Sequence, residues 1–371
     1  MDDGYFTIDD MMQKIQDEIT GLQNLNVLLM GKTGVGKSTL INNIFREKLA
    51  ETGTGRPVTE GSRCYSVPEL PIKIYDTRGF ELGSKEQQMV KNDILRLIKN
   101  GVEEKNINSN IHCVLYCINA SANRIEQAEI DWLKQFADEA VVYAVPLIIV
   151  LTQAVAKKKS EDLKAVIEKY GLDVRGIVPV LAADYPISDE LTINAYGLDS
   201  LIDTIARVLS AELQLTLQNV QIASLKNKIA DAEKAVNKFT AAAGTAAATP
   251  IPFSDAAVLV PIQTAMIARV TAIFGISVTK SILTGIISSI AGTAGATYVG
   301  RSFVAGIIKF IPGIGSIAGG VISAATAAAI TGTLGRAYIQ LMLMIYKGEL
   351  NESSIGSDEF KRILQEKMKE L

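Results

Sequence analysis

Leu25-Asn26-Val27-Leu28-Leu29-Met30-Gly31-Lys32-Thr33-Gly34-Val35-Gly36-Lys37-Ser38 is the stretch whose reading decides the fold. Residues 25–30 form an apolar run and read as a buried strand. Residues 31–38 fit G-x-x-x-x-G-K-S directly after it, and a helix is expected over 37–45. Glycines let backbone N–H groups turn inward around phosphate oxygens, and the helix N-terminus adds positive potential. Lys37 is placed to reach β- and γ-phosphates, and the Ser38 hydroxyl to ligate Mg2+.

Working outward, Ile72-Lys73-Ile74-Tyr75-Asp76-Thr77-Arg78-Gly79 is a strand ending in D-x-x-G. Asp76 is expected to hold Mg2+, directly or through water, and the Gly79 N–H to meet the γ-phosphate. Between the two motifs lies a Gly-rich loop, 53–61, containing Pro57-Val58-Thr59. Thr59 is placed to complete the Mg2+ shell, in a loop that orders on triphosphate and releases on hydrolysis. Further strands are expected near 64–68, 111–118, 142–151 and 177–181. Helices are expected near 85–99, 127–139, 160–169 and 198–209. Such alternation predicts a mostly parallel sheet with helices on both faces, and a ligand at the carboxyl ends of its strands.

The segments GKTGVGKSTLIN (31–42), PVT (57–59) and DTRG (76–79) resemble the translation-factor-like class of P-loop GTPases. Within that class they are similar to the Era-like, septin-like and immunity-related groups, over residues 24–209. The resemblance implies a Ras-like α/β G domain that binds GTP or GDP with Mg2+. It implies a switch with slow intrinsic hydrolysis. Gly31, Lys32, Thr33, Gly34, Val35, Gly36, Lys37, Ser38 and Thr39 would line the phosphates. Ser38, Thr59 and Asp76 would serve the metal, and Lys37, Thr59, Arg78 and Gly79 the reaction.

Three departures from the class matter. Its guanine-reading N/T-K-x-D becomes Thr152-Gln153-Ala154-Val155, which keeps the first residue, replaces the lysine and lacks the aspartate. Ala182-Ala183 fits the weaker base-contacting loop, and Asp184 beside it is a candidate substitute acceptor. Phe80 stands where a catalytic glutamine is usual, so the catalytic group would come from elsewhere, through dimerisation or a partner. Arg78 reads either as a surface or ion-paired arginine or as an arginine finger. Gly34 occupies a position that often carries Asn in potassium-activated members, which speaks against potassium activation.

The whole chain has 371 residues, 48% hydrophobic and 21% charged, enough for two domains with sizeable cores. A net charge of −3 argues against a dedicated nucleic-acid binder. Cys64, Cys113, Cys117 and the single His112 are too few for a disulfide framework or a His-rich metal site. His112 and Cys113 adjoin on a strand and point to opposite faces, which makes them core residues. Three thiols and an acidic N-terminus without an apolar leader predict a cytoplasmic protein.

Charge is unevenly spread. Residues 256–348 contain no Asp or Glu but six basic residues: Arg269, Lys280, Arg301, Lys309, Arg336 and Lys347. Five regions are expected: an amphipathic helix over 1–23, capped by Thr7 or Asp9 and packed on the next domain; the G domain, 24–209; a helical arm and hinge, 210–249; an all-α, Gly/Ala-rich domain, 250–346; and a charged tail, 347–371. The fourth resembles a small uncharacterised domain that follows G domains in predicted membrane-associated GTPases. Its uncharged runs, 281–300 and 310–335, are long enough to span a bilayer. Gly285, Gly292, Gly306, Gly313 and Gly320 recur at multiples of seven and would let helices approach closely. Ala, Gly, Ser and Thr dilute these runs, and Phe310-Ile311-Pro312-Gly313 breaks the second. A soluble or conditionally membrane-active helical domain is therefore preferred over a permanent span.

The expected function is a GTP-binding, slowly hydrolysing switch whose nucleotide state moves the helical domain. Its partners would be an anionic membrane through 250–346 and a second copy through the G domain. Location would be cytoplasmic, with peripheral or integral membrane association. A non-hydrolysing scaffold and a ribosome- or RNA-associated GTPase are the alternatives. The acidic balance disfavours RNA, and no DNA binding is expected.

Overall fold

The computed structural model describes residues 6–45, 56–59, 62–67, 70–77, 85–104, 106–122, 124–247, 255–291, 298–299, 323–350, 362 and 366. Backbone contacts divide the chain into two compact units: Leu22–Asn227, and Met1–Gly21 with Lys228–Leu371. The chain opens in the latter, with β1 (Phe6–Thr7) and α1 (Ile8–Thr20).

The Leu22–Asn227 unit contains β2 (Leu25–Gly31), α2 (Lys37–Ile44), β3 (Arg56–Thr59), β4 (Ser62–Ser66), β5 (Ile72–Thr77) and α3 (Lys85–Glu103). Next come β6 (Cys113–Asn119), α4 (Gln127–Val142), β7 (Leu147–Thr152), α5 (Lys157–Glu168) and β8 (Gly176–Pro179). A hairpin of β9 (Tyr185–Ser188) and β10 (Leu191–Ile193), then α6 (Leu198–Val208) and α7 (Ala211–Val220), complete it. Seven strands form one sheet in the order β3-β4-β5-β2-β6-β7-β8. β5, β2, β6, β7 and β8 run parallel, and β4 and β3 add an antiparallel edge. This is the mostly parallel α/β sheet that the alternation of apolar runs and helices predicts.

Both faces of the sheet are covered, which is why its central strands read as unbroken apolar runs. Along β6, Val114, Tyr116 and Ile118 enter one core, and Cys113, Leu115 and Cys117 the other. Both β6 thiols are fully buried. His112, just ahead of β6, accepts the Asn26 N–H on its Nδ1 at 2.9 Å. The strand expected from 142 starts later, because α4 continues to Val142 and β7 begins at Leu147.

The helical arm expected within 210–249 is two helices. α7 joins the sheet core through Leu213, Leu217 and Val220. The break follows from side-chain chemistry: Gln221 Nε2 donates to Ser224 O at 3.0 Å, and its Oε1 accepts the Ser224 N–H at 2.8 Å. The Ile222 N–H donates to Ile44 O at 2.8 Å. Those bonds replace the helical ladder. α8 (Leu225–Ala246) then leads out, and from Lys228 onward it belongs to the second unit.

The second unit also holds α9 (Asp255–Phe274), α10 (Lys280–Ala291), β11 (Tyr298–Val299) and α11 (Ala324–Tyr346). The N-terminal helix, expected on the sheet domain, packs instead on α9 and α10. Thr7 is its cap: its Oγ1 accepts the Asp10 N–H at 3.1 Å, and Asp10 Oδ2 accepts the Thr7 N–H at 2.7 Å. This reciprocal capping box fixes where the helix begins. β1 pairs antiparallel with β11. The uncharged run 281–300 is therefore not a single helix, since α10 ends at Ala291 and Tyr298–Val299 is a strand. Arg301, Lys309 and the expected break at 310–313 lie outside the described residues.

Close helix approach occurs here at other glycines than those spaced by sevens, of which Gly292, Gly306, Gly313 and Gly320 lie outside the described residues. A Cβ on Gly335 would lie 2.6 Å and 2.7 Å from the Val236 methyls and 2.8 Å from Met266 Sδ. Gly244 abuts Ala324 and Ala328. The interior also satisfies polar groups: Lys228, fully buried, donates from Nζ to Ile273 O (2.9 Å) and Phe274 O (3.1 Å), the last carbonyls of α9. A cation is well placed at a helix C-terminus. α11 is the one described helix long and apolar enough to cross a membrane, and 67% of its apolar window is buried inside the protein.

Candidate nucleotide-binding site

The phosphate loop joins β2 to α2 at the carboxyl end of the sheet. Gly31 has φ +139°, and a Cβ there would lie 2.4 Å from Cys117 O. No side chain fits. Gly36, at φ +95°, caps α2 in a left-handed conformation. Between them Val35 is buried and pins the loop to the core. Thr33, Gly34, Ser38 and Thr39 face solvent. Lys37 Nζ donates to Gly31 O at 3.0 Å and Lys32 O at 3.2 Å, so its charge lies over the loop.

Asp76 sits beside Leu29 across the β2–β5 pairing. Its Oδ1 is buried and has no hydrogen-bond partner among the described residues. Burial pushes the carboxyl above its ordinary 3.8, against the pull of Lys37 and Arg63. A buried carboxylate oxygen with no partner among the described residues is a hard-oxygen donor of the kind that Mg2+ prefers, and the exposed Ser38 hydroxyl is another. The residues fit that ion.

Asp76 also sets a pH dependence. Its folded-state value is raised, so the folded chain holds this proton longer than the unfolded one. Stability conferred by the protonated form therefore falls as pH rises from 3.8 through the higher folded value. Asp76→Asn is expected to remove that slope and raise the melting temperature above it. The same change should weaken Mg2+-nucleotide binding by about 10-fold or more. Thermal melts across pH, paired with Mg2+ titrations, check both directions.

Lys32 plays a part that its place in the motif did not reveal. Its Nζ pairs with Glu129 Oε2 at 2.9 Å and Glu126 Oε2 at 3.4 Å. Glu129 is 4% exposed, and its Oε1 accepts the Tyr116 hydroxyl at 3.0 Å. The Lys32 side chain thus ties the loop to α4 and points at protein. Glu129 and Tyr116 escaped the sequence reading because a glutamate early in an amphipathic helix and a tyrosine on a buried strand carry no local signal.

The residues expected on the base side begin at the end of β7. Thr152 Oγ1 contacts Val35 O at 2.5 Å and Ile118 O at 3.1 Å. Gln153, at φ +52°, donates from Nε2 to Gly34 O at 2.9 Å. Both side chains brace the phosphate loop. The Ala154 N–H donates to Val180 O at 3.2 Å, which brings this turn next to half-buried Ala182. Tyr196, also unremarked in the sequence, donates its hydroxyl to Ala154 O at 2.6 Å and lies under Lys157 Nζ. Asp184, the candidate substitute acceptor, already has Oδ1 engaged by the Ala195 N–H at 2.7 Å. Thr59 is placed by its backbone in β3. Arg78, Gly79 and Phe80 lie outside the described residues.

Comparison with known proteins agrees with this geometry. Residues 26–153 match the profile of the 50S ribosome-binding GTPase family, and residues 212–368 that of a domain of unknown function, DUF697. Septin-9 of Rattus norvegicus is 26% identical over 175 residues, 40% of this chain and 30% of that one. Neuronal-specific septin-3 of Danio rerio is 25% identical over 198 residues, 47% of this chain and 54% of that one. The chain thus spans about half or less of these relatives. Among solved structures, a probable GTP-binding protein engB aligns at 19% identity and a TM-score of 0.35, covering 49% of this chain and 97% of that one. The chain therefore carries a P-loop GTPase domain, of the kind that takes GTP or GDP with Mg2+, followed by a DUF697 domain.

Proposed function

We propose that the chain is a slow GTPase switch whose nucleotide state governs a helical domain that binds membrane or assembles with itself. The observation that carries the reading is Lys37 held over a glycine-shaped loop and interacting with the buried Asp76 carboxyl, whose Oδ1 has no partner among the described residues. In this reading the N–H groups of 31–39 cradle the phosphates and Lys37 neutralises them. Ser38, Thr59 and Asp76 hold Mg2+, which when bound offsets charge on the β- and γ-phosphates. Thr152, Gln153 and Ala182 form the base side. Gly79 senses the γ-phosphate. Turnover is slow because Phe80 cannot orient a water, so a second copy or a partner completes the site, with Arg78 as one candidate group.

Phosphate release from GTP at several protein concentrations, with and without anionic liposomes, tests this. Specific activity that rises with concentration or lipid is expected. Slow turnover that stays flat in both would remove assembly and membrane coupling, and no multiple turnover at all would favour a non-hydrolysing scaffold. A second reading follows from the matched family's description, which names the 50S ribosome. Salt-sensitive co-sedimentation with ribosomal subunits would favour it.

A further inference from the structure

Two of the six basic residues in the acid-free stretch 256–348 take their counter-charges from the other end of the chain. Arg269 Nε on α9 pairs with Glu18 Oε1 at 2.7 Å, and Lys280 Nζ at the start of α10 pairs with Asp9 Oδ1 at 2.6 Å. Both carboxylates belong to α1. The same helix packs on α9 and α10 and buries Ile8, Met11 and Ile15. It presents an apolar stripe flanked by negative charge to a basic, apolar face. An anionic bilayer surface presents the same combination.

The ion pairs themselves add little to the hold on α1. Arg269, Lys280 and Asp9 are well exposed at their ion pairs, and exposed pairs contribute little. A helix of 13 residues is marginal in water on its own, so its persistence depends on tertiary contacts: three buried side chains, its cap and the β1–β11 pairing just ahead of it.

We propose that the α9–α10 face beneath α1 is a docking surface for anionic lipid, and that α1 occupies it as an intramolecular competitor. This rests on the membrane reading above and names the face and its control. Displacing α1 frees Arg269 and Lys280 together with the apolar seat of Ile8, Met11 and Ile15. Because α1 and lipid need the same groups, one excludes the other.

The test uses the full chain with Met11→Asp, which places a charge in the apolar seat and adds no positive charge to α1. Tryptic cleavage after exposed Lys14 reports the opening of α1, and circular dichroism reports folding. Met11→Asp is expected to speed cleavage at Lys14. It should also tighten binding to phosphatidylserine–phosphatidylcholine vesicles by about tenfold. Adding Arg269→Gln and Lys280→Gln should reverse that gain by about tenfold, and phosphatidylcholine vesicles should show neither change. Should Met11→Asp fail to fold, Asp9→Asn/Glu18→Gln is read out in the same way, with the same direction expected.

Faster cleavage at Lys14 without tighter binding overturns the docking surface. Wild-type binding as tight as that of the opened variant overturns the competitor role while the membrane reading stands. No binding by any folded variant overturns the membrane reading itself.

Discussion

Lys37→Ala is expected to weaken GTP binding by about 30-fold or more, while the melting temperature stays close to that of the wild type. Lys37 Nζ is held by the carbonyls of Gly31 and Lys32, so its charge is delivered by the backbone of the loop it serves. A phosphate is the natural partner for such a cation, because charge-assisted bonds are the strong ones. The alanine variant loses those contacts and leaves Asp76 with only Arg63 to offset its burial. The Asp76 carboxyl should therefore rise further and hold Mg2+ less well. Lys37→Arg should not restore binding, since a planar guanidinium does not fit a loop shaped around a compact ammonium. Titration with a fluorescent GTP analogue measures the loss, and binding within a few-fold of wild type would refute the role of Lys37.

Gly335→Leu is expected to destabilise the helical unit by about 3 kcal/mol. A Cβ alone would approach the Val236 methyls and Met266 Sδ closer than such atoms sit, and a leucine adds three more carbons beyond it. A neighbouring glycine provides the control. At Gly332 an added Cβ meets the flexible end of Arg336 and the Thr240 hydroxyl at 3.2 Å. Gly332→Ala should accordingly be close to neutral, its mild crowding offset by ~1 kcal/mol of helix propensity. Denaturant titrations of both variants separate the two cases. Equal stability would mean that α11 does not pack as closely at Gly335 as the geometry requires.

The features legible in the sequence are those written locally. The phosphate loop is one strand, one glycine-spaced turn and one helix start, and its lysine and the facing Asp76 follow at fixed offsets. The alternation of apolar runs with amphipathic helices likewise yields the parallel sheet. What was not legible depends on residues distant in sequence. Lys32 reads as a loop residue until Glu129 and Tyr116 arrive from another helix and another strand. The break after α7 has neither glycine nor proline to announce it, because the Gln221 side chain makes it. The seat of α1 was half-visible: the lack of acid across 256–348 posed a charge imbalance, and Asp9 and Glu18 answer two of its six basic residues from the far end of the chain. Thr152 and Gln153 read as base-side residues, yet both side chains bond to the loop carbonyls. The altered guanine motif thus retains a structural duty at its first two positions.

Coupling between nucleotide and the helical domain is the central claim. Vesicle co-sedimentation of the full chain tests it most directly, in GDP and in a non-hydrolysable GTP analogue, each with Mg2+ and phosphatidylserine-containing vesicles. The account predicts a lipid-bound fraction that changes by about fivefold or more between the two states. Equal binding in both states, with both nucleotides shown to be bound, would contradict it.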